Sequence, residues 1–462
     1  MALEDLLYPL LNTYHKLPFW VKNMVGYVYR CIPNQIRYGK FYKQYIERIN
    51  FFQNSGNEKT IIAQQKLLLD SVNHAIRNIE FYNNYKEISN LEDFRRLPVI
   101  TKDLINQNKT IFIDDKKNNL ALKANTGGSS GNPFVFYIHK GKTRSKEKAH
   151  FDWYWSQFGY KSGMPIVMIR GKSLKNNEVF EYNSLDNKLI INSNSINKDT
   201  IAEIYDQIIK FKPKFIHAYP SSLLIFTKVC KAFTKLQSFD LDIKSVFLGS
   251  EGLTTDDFSL LENFYKANIV NWYGHSECLI HAGRQDKEGN FKFYPFYGFV
   301  ELLDDNDNVI SQPNQLGRII ATGFDNEVMP LIRYDTGDLG ELSENNKVLD
   351  PSYTCLKNIQ GRDKNFIYLS DDTAISLTSI IFGQHYKEFD YIKELQIEQY
   401  KKGVIIMSIV PLKTFGNEDM ILFKKSLLKT VKENTLTIDM KIVKRTKKTP
   451  RGKHILLIQH LK

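Results

Sequence analysis

Strand and helix patterns alternate between residues 200 and 275, and this alternation constrains the fold more than any other feature of the 462-residue chain. Ile201, Ile204, Tyr205, Ile208 and Ile209 share one helical face. Lys214–Tyr219 then reads as a strand, Ser221–Phe233 as a helix and Ile243–Leu248 as a second strand. Thr254–Lys266 reads as another helix, with Thr254 or Thr255 as N-cap and acids in its first turn, and Asn268–Tyr273 as a third strand. Such alternation requires right-handed crossovers and a parallel sheet with helices on its faces.

The flanking regions differ. Residues 1 to about 95 read as helices and loops, with Ile61, Ile62, Leu67, Leu68, Leu69, Val72 and Ile76 at helical spacing between Thr60 and Phe81. Leu120–Asn125 and Pro133–Ile138 look like two short strands around a loop of small residues, Thr126-Gly127-Gly128-Ser129-Ser130-Gly131-Asn132. Residues 291 to 360 are richer in short strands and turns, with a hairpin turn expected at Asp304-Asp305-Asn306-Asp307-Asn308 rather than a calcium site. After Gly361 a small α+β unit is expected. It has a hairpin, Glu394–Tyr400 and Gly403–Val410 across Lys401-Lys402, then a helix at about 418–433 and a strand at about 437–443. The expected division is a helical part at 1–95, an α/β core at 96–360, a boundary at 361–365 and a small unit at 366–462.

The composition excludes several classes. With 42% hydrophobic and 25% charged residues the chain is neither disordered nor fibrous. The net charge of +12 is spread along the chain except for a basic stretch at 441–453, which argues against a nucleic-acid protein. It fits either a solvated surface or a basic face for anions such as nucleotides, acidic sugars or anionic lipid. Cys31, Cys230, Cys278 and Cys355 are too scattered for a Cys-x-x-Cys clip and suit a reducing cytosol. Glu4 and Asp5 stand where a signal peptide wants positive charge, so a cytoplasmic location is expected. No apolar run approaches the roughly 18 residues of a membrane span. Leu17–Tyr29 could lie on a membrane surface, but its aromatics are expected to pack against the main body.

The Gly/Ser loop offers backbone N–H groups and hydroxyls at close approach, which suits a polyphosphate. It lacks the Gly-Lys-Ser/Thr ending of a Walker A loop. Gly127–Gly131 also matches Gly-x-Ser-x-Gly, which would make Ser129 the nucleophile of a hydrolase. That motif needs a helix after the serine, and Pro133–Tyr137 is strand-like. A flexible surface loop is the plain alternative. Ligands of open α/β sheets bind beyond the carboxyl ends of the strands. Three such ends carry polar or small residues: Pro220-Ser221, Gly249-Ser250-Glu251-Gly252 and Tyr273-Gly274-His275-Ser276-Glu277. Tyr273 offers a flat face for a base, and Glu277 a hard carboxylate for Mg²⁺. The acid ending Arg333-Tyr334-Asp335-Thr336-Gly337-Asp338 could accept from a ribose diol. Lys453 follows a Thr-Pro-Arg-Gly turn and precedes the apolar run Ile455–Ile458, so a turn would present it in a fixed place.

In order, these segments resemble the motifs of the adenylate-forming superfamily of acyl-CoA synthetases, luciferases and adenylation domains. They look closest to its phenylacetate-CoA ligase-like, CapK-type branch, which is associated with capsule and other surface polysaccharide synthesis. Phe81-Tyr82 and Leu97-Pro98-Val99-Ile100-Thr101-Lys102 look like that branch too. The resemblance implies a large α/β adenylate-forming domain with parallel sheets and a β-rich part, followed by a small mobile α+β domain. It implies ATP, Mg²⁺ and a small carboxylic acid as ligands. The acceptor would be CoA, a carrier-protein thiol, or a sugar amine or hydroxyl.

By position, the resemblance puts Thr126, Gly127, Gly128, Ser129, Ser130 and Gly131 on the phosphates. Glu251, Gly252, Tyr273 and Gly274 would border the adenine, Glu277 would hold Mg²⁺, and Asp338 and Arg362 would attend the ribose. Lys364 matches the hinge, and Lys453 the catalytic lysine. The acid would lie between the helix after Pro220 and the strand ending at Tyr273, near His217, Tyr219, His275 and His281. Two departures stand out: Phe134 replaces a lysine that many members carry, and Asp335 replaces the usual arginine of Tyr-x-Thr-Gly-Asp. The zinc-binding cysteines of some relatives are missing, so no zinc site is expected. Two readings stay open beside this one: an amide or ester ligase acting on a glycan or sugar precursor without CoA, and a non-catalytic nucleotide-binding partner of a polysaccharide assembly system.

Overall fold

The architecture is that of a computed structural model. It describes residues 3, 7, 10–125, 134–170, 178–234, 238–284, 289–344, 354–360, 366–371, 374–376, 391–412, 415–428, 431, 434–448 and 455–461. The Gly/Ser loop, Arg362, Lys364 and Lys453 lie outside the described residues.

The strands flanking the Gly/Ser loop are β1 (Ala121–Asn125) and β2 (Val135–His139), paired antiparallel from Ala121↔His139 to Asn125↔Val135. Twelve further strands form one sheet. They are β3 (Ile166–Arg170), β4 (Phe180–Asn183), β5 (Lys188–Asn192), β6 (Phe215–Ala218), β7 (Ser245–Gly249), β8 (Asn268–Gly274), β9 (His281–Arg284), β10 (Phe291–Phe293), β11 (Gly298–Leu303), β12 (Leu316–Gly323), β13 (Tyr334–Leu342) and β14 (Cys355–Gln360). Their order is β11-β12-β13-β14-β10-β9-β8-β7-β6-β3-β5-β4. From β8 through β7, β6 and β3 to β5 the pairing is parallel. From β8 outward through β9 to β11 it is antiparallel. The β-rich region therefore continues the parallel sheet rather than forming a sheet of its own.

The parallel half follows the sequence pattern closely. Helix Ile201–Phe211 buries Ile201, Ile204 and Ile208, and helix Pro220–Phe233 starts on a proline, whose missing N–H is harmless at a first turn. Thr254 caps helix Thr255–Tyr265 by accepting from the Asp257 N–H at 3.1 Å. Apolar residues from β3, β5, β6 and β7 and these three helices form one cluster that includes Val167, Ile191, Ile216, Val246 and Leu261.

Helix Asn57–Asn78 buries Leu68, Val72 and Ile76 against the antiparallel half, while Ile62 stays exposed. The opening helices depart from expectation. Helix Phe19–Cys31 buries Gly26 alone and leaves Phe19, Trp20, Met24, Tyr27 and Val28 exposed, so most of its aromatics do not pack inward, and only the edge of Phe19 meets Tyr182. The expected turn at Asp304 forms: its Oδ1 accepts from the N–H groups of Asn306 and Asn308 at 2.8 and 2.9 Å.

Downstream, β15 (Phe366–Tyr368) pairs with β16 (Ala374–Ser376). A second sheet, in the order β19-β18-β17-β20, is built from β17 (Ile392–Lys401), β18 (Val404–Pro411), β19 (Thr437–Ile442) and β20 (Leu457–Gln459). Helix Asn417–Leu428 buries Phe423 and Leu427 in the cluster of this sheet, with Ile397, Ile405, Met407 and Ile438. This unit meets the parallel half through Lys393, whose ammonium donates to the Ile196 carbonyl after β5, and through Lys228 of helix Pro220–Phe233, which donates to the Ile392 carbonyl at 3.5 Å.

Candidate functional site

The carboxyl ends of β6, β7 and β8 lie side by side, because Ala218 is opposite Leu248 and Gly249 is opposite Trp272. Gly249 is required there: a Cβ would fall 2.3 Å from the Trp272 ring. Past it, the chain turns through Ser250, at φ 72°, to Glu251. The Glu251 Oε2 accepts from the Ser221 N–H at 2.9 Å, so the acid sits at the N-terminus of helix Pro220–Phe233. Its other oxygen, Oε1, is buried with no hydrogen-bond partner among the described residues. Adjacent Gly252 has open space where a Cβ would stand.

From the end of β8, Tyr273 reaches across to β13 and donates its hydroxyl to Asp338 Oδ2 at 2.7 Å. Burial, and then the Asp338 charge, push the Tyr273 hydroxyl well above its ordinary pKa, so it stays a donor. Gly274 follows, with the Ile280 carbonyl 3.5 Å from its would-be Cβ. Three residues on, Glu277 is 6% exposed, and its Oε1 accepts from the Tyr334 hydroxyl at 3.1 Å. Tyr334 also stacks at 6.0 Å on Phe134, the first described residue after the Gly/Ser loop. Two tyrosines thus tie β8 and the Glu277 loop to β13, and Phe134 brings the end of the loop to the same place. Phe134 is fully buried and stacks on Phe136 as well, which gives an aromatic anchor at the end of the loop.

The segment Leu97–Lys102 holds β13 in register. Ile100 bridges to Tyr334 in parallel, and Arg333 donates to the carbonyls of Arg95 at 2.7 Å and Leu97 at 2.6 Å. Arg333 is itself neutralised by Glu301, at 3.0 Å. Asp335 accepts from Arg318 at 2.8 Å and from the Gly337 N–H at 2.8 Å, so it shapes the strand that presents Asp338.

The residues expected around the acid divide into two groups. Tyr219, 7% exposed, follows β6 at the N-cap of helix Pro220–Phe233, with the Arg170 guanidinium 5.0 Å over its ring. His275 lies 6.5 Å from the Tyr273 ring, at the crevice. His217 and His281 belong to the aromatic core. His217 is buried between Trp155 and Trp272, and its Nε2 lies 2.7 Å from Arg170 Nη2. His281 packs on Phe151, Tyr154 and Tyr294, and burial lowers its pKa to about 3.

Sequence reading gave no role to helix Lys142–Ser156, which forms the other wall. Lys146, 2% exposed, donates to the carbonyls of Tyr297 at 2.7 Å and Cys278 at 3.3 Å and pairs with Asp325 at 3.3 Å. Asp325 also pairs with Arg48 at 3.1 Å. A cavity of about 370 Å³ opens here, lined in part by Ile138, Thr143, Glu147, Phe151 and Cys278. Burial raises the Glu147 carboxyl to about 7, and its Oε1 has no hydrogen-bond partner among the described residues. This cavity lies beside Cys278, the residue after Glu277. The helix escaped notice because it has no apolar stripe: Thr143, Ser145, Lys146 and His150 face inward.

No family model matches the chain. It is 24% identical to the "Protein CapK" of Staphylococcus aureus over 97% of this chain and 99% of that protein. Among solved structures it superposes on a 2-hydroxyisobutyryl-CoA ligase in the postadenylation state in complex with R3-HIB-AMP. The TM-score is 0.63 at 16% identity, covering 86% of this chain and 89% of that one. It also superposes on AtGH3.15, an acyl acid amido synthetase in complex with 2,4-DB, with a TM-score of 0.58 at 12% identity, covering 87% and 90%.

Proposed function

We propose, for a chain that has the fold of the adenylate-forming CoA ligases, that it activates a carboxylic acid with ATP and passes the acyl group to CoA or another acceptor. The observation that carries the reading is the double tie at the crevice, Tyr273 to Asp338 and Tyr334 to Glu277. It joins two of the stretches expected to surround one nucleotide, 273–277 and 333–338, and the Phe134 ring on Tyr334 brings the end of a third beside them. The donor chemistry fits. The orphaned Glu251 Oε1 is an acceptor waiting for an N–H such as the adenine amine. Tyr273 would face the base, Asp338 would accept from the ribose, and Gly252 leaves room for the ring, with Gly274 beside it. Thr126–Gly131 would hold the phosphates, with Arg362 beside the ribose.

The carboxylate oxygen of the substrate attacks the α-phosphorus, giving an acyl-adenylate and pyrophosphate. Two anions must meet, so positive charge at the reacting phosphate lowers the barrier. Glu277, an oxygen donor, would hold Mg²⁺, which would offset phosphate charge. Lys453 would supply a second cation. In this reading the residues after 365 form a domain that turns about Lys364, withdrawing Lys453 and admitting the acceptor. The cavity at Cys278 would take the carbon skeleton of the acid, with Tyr219 and His275 on the opposite side.

CoA is one acceptor; a carrier thiol, or an amine or hydroxyl of a sugar precursor, is the other class. The likeness to an acyl acid amido synthetase favours keeping an amide product in view, and the name of the CapK relative is what favours a place in capsule or other surface polysaccharide synthesis. The strand after the Gly/Ser loop supports a phosphate grip over a serine hydrolase, whose Ser129 would need a helix there. The test is pyrophosphate release across aryl, fatty, amino and sugar acids, with and without CoA. At least one acid is expected to give release that Lys453→Ala lowers by about 100-fold or more. Wild-type release by that variant removes Lys453 from the reaction. Nucleotide binding without release for every acid leaves the non-catalytic reading in its place.

A further inference from the structure

Helix Phe19–Cys31 is built inside out. The face it turns to the protein is small and polar. Gly26 is buried so tightly that a Cβ would fall 2.4 Å from the Ser184 carbonyl oxygen. Asn23 Oδ1 accepts from the Ser184 hydroxyl at 2.6 Å, and Arg30 donates to the Ser184 carbonyl. Asn23, Gly26 and Arg30 recur at helical spacing, and Phe19 adds an edge-on contact to Tyr182 at 5.9 Å. Residues 182 and 184 belong to the β4–β5 hairpin, at the edge of the sheet and five strands from β8.

The outward face is large and apolar. Trp20 is 68% exposed, Tyr27 66%, Met24 59% and Val28 59%. Positions 20, 24, 27 and 28 form one helical stripe. A helix that lives in water orients these two faces the other way.

The charge around this stripe points to its partner. Between Asp5 and Glu47 the chain has no acidic residue, yet it carries Lys16, Lys22, Arg30, Arg37, Lys40 and Lys43; Arg30 is turned in to Ser184 and Arg37 is buried, which leaves the lysines on the outside. Lys16, Lys40 and Lys43 are exposed. An acid-free cationic segment around an exposed Trp/Tyr/Met stripe is complementary to an anionic, half-apolar surface. No helix among the described residues is long and apolar enough to cross a membrane. We propose that this helix is a membrane-docking surface that lies in the headgroup layer of an anionic bilayer, with Trp20, Met24, Tyr27 and Val28 facing the acyl chains. The edge of the large sheet is thereby held at a lipid surface, and the enzyme meets substrates or acceptors confined to it.

The test uses the full-length chain with phosphatidylglycerol-containing vesicles and with vesicles of phosphatidylcholine alone. Wild type is expected to co-sediment with the anionic vesicles, more weakly at high salt, and to show a blue shift of Trp20 emission. Trp153 and Trp155 are largely buried and Trp272 is 8% exposed, so Trp20 is the indole positioned to respond. Trp20→Glu with Met24→Glu should lower binding about tenfold or more while leaving the melting temperature unchanged, since both side chains are exposed. Unaltered sedimentation of that variant, or equal binding to neutral vesicles, overturns the proposal. So does a wild-type homodimer that the same variant turns into a monomer, which would assign the stripe to a second copy of the chain.

Discussion

Helices Phe19–Cys31 and Lys142–Ser156 have similar lengths and opposite fates. The first is rich in Val, Tyr, Phe and Trp, and it presents most of these outward. The second carries Lys, Arg, Glu, Asp and His, with aromatics only toward its end, and it is packed into the middle of the molecule. Burial in each is decided by what the facing surface offers. Around Lys146 that surface is two carbonyls and the Asp325 carboxylate, which together satisfy an ammonium. Around Gly26 it is a backbone turn, which admits only a residue without a side chain. Hydropathy alone would have exchanged the two.

Removing the inward lysine should have the largest effect on stability. Lys146→Met leaves the Tyr297 and Cys278 carbonyls without their donor and Asp325 with Arg48 alone. Loss of one partner of a buried pair costs about 3–5 kcal/mol, read as a lower denaturation midpoint. An unchanged midpoint would mean that the buried charge is dispensable and the contrast between the helices is superficial.

The matching change in the outward helix is Gly26→Ala. Its methyl would meet the Ser184 carbonyl oxygen at 2.4 Å, well inside contact distance. Overpacking of this kind costs about 1–3 kcal/mol. The helix should lift locally, so limited proteolysis between residues 19 and 31 should quicken while the main transition holds. Equal protection of the variant would show that Gly26 is not the point of seating.

Acid should act on the inward helix before the outward one. Burial alone would raise the Asp325 carboxyl, but Lys146 and then Arg48 hold it down at about 2, against an ordinary 3.8. A depressed acid contributes stability that is complete above its unfolded pKa and is lost as pH falls through the folded one. That window runs from about pH 4 down to about 2 and is worth about 2 kcal/mol. Asp325→Asn should flatten the pH dependence of the midpoint over that window; a parallel curve for wild type and variant would break the assignment.

Much of the crevice was legible because its motifs are local. Small residues between two short strands, acids or glycines after β7 and β8, and the acid inside β13 all announce themselves within a few positions. The β/α alternation of 200–275 was equally plain, since each element carries its own period and cap. Three things were not legible. The antiparallel half joins the parallel sheet through pairings such as Trp272↔Gly283 and Phe291↔Arg284, which no local pattern encodes. Arg48, Lys146 and Asp325 are nearly 280 residues apart at the extremes, and each alone reads as a surface charge. His217 and His281 were drawn toward the crevice by neighbouring motifs, whereas strand alternation turned both rings into the aromatic cluster around Trp155, Trp272 and Tyr294.

The smallest expected effect is the one that isolates the outward face. Trp20→Gln removes the largest exposed apolar side chain of helix Phe19–Cys31 while keeping a residue that tolerates helix. If the stripe serves no packing role within the chain, the denaturation midpoint should move by no more than about 0.5 kcal/mol. A larger loss would mean that Trp20 is a core residue in solution, the helix having rolled to bury it, and the contrast with Lys142–Ser156 would vanish. A small gain would sharpen that contrast, because it would show that water tolerates the indole less well than an amide, and that the residue is kept at a cost the folded chain itself does not recover.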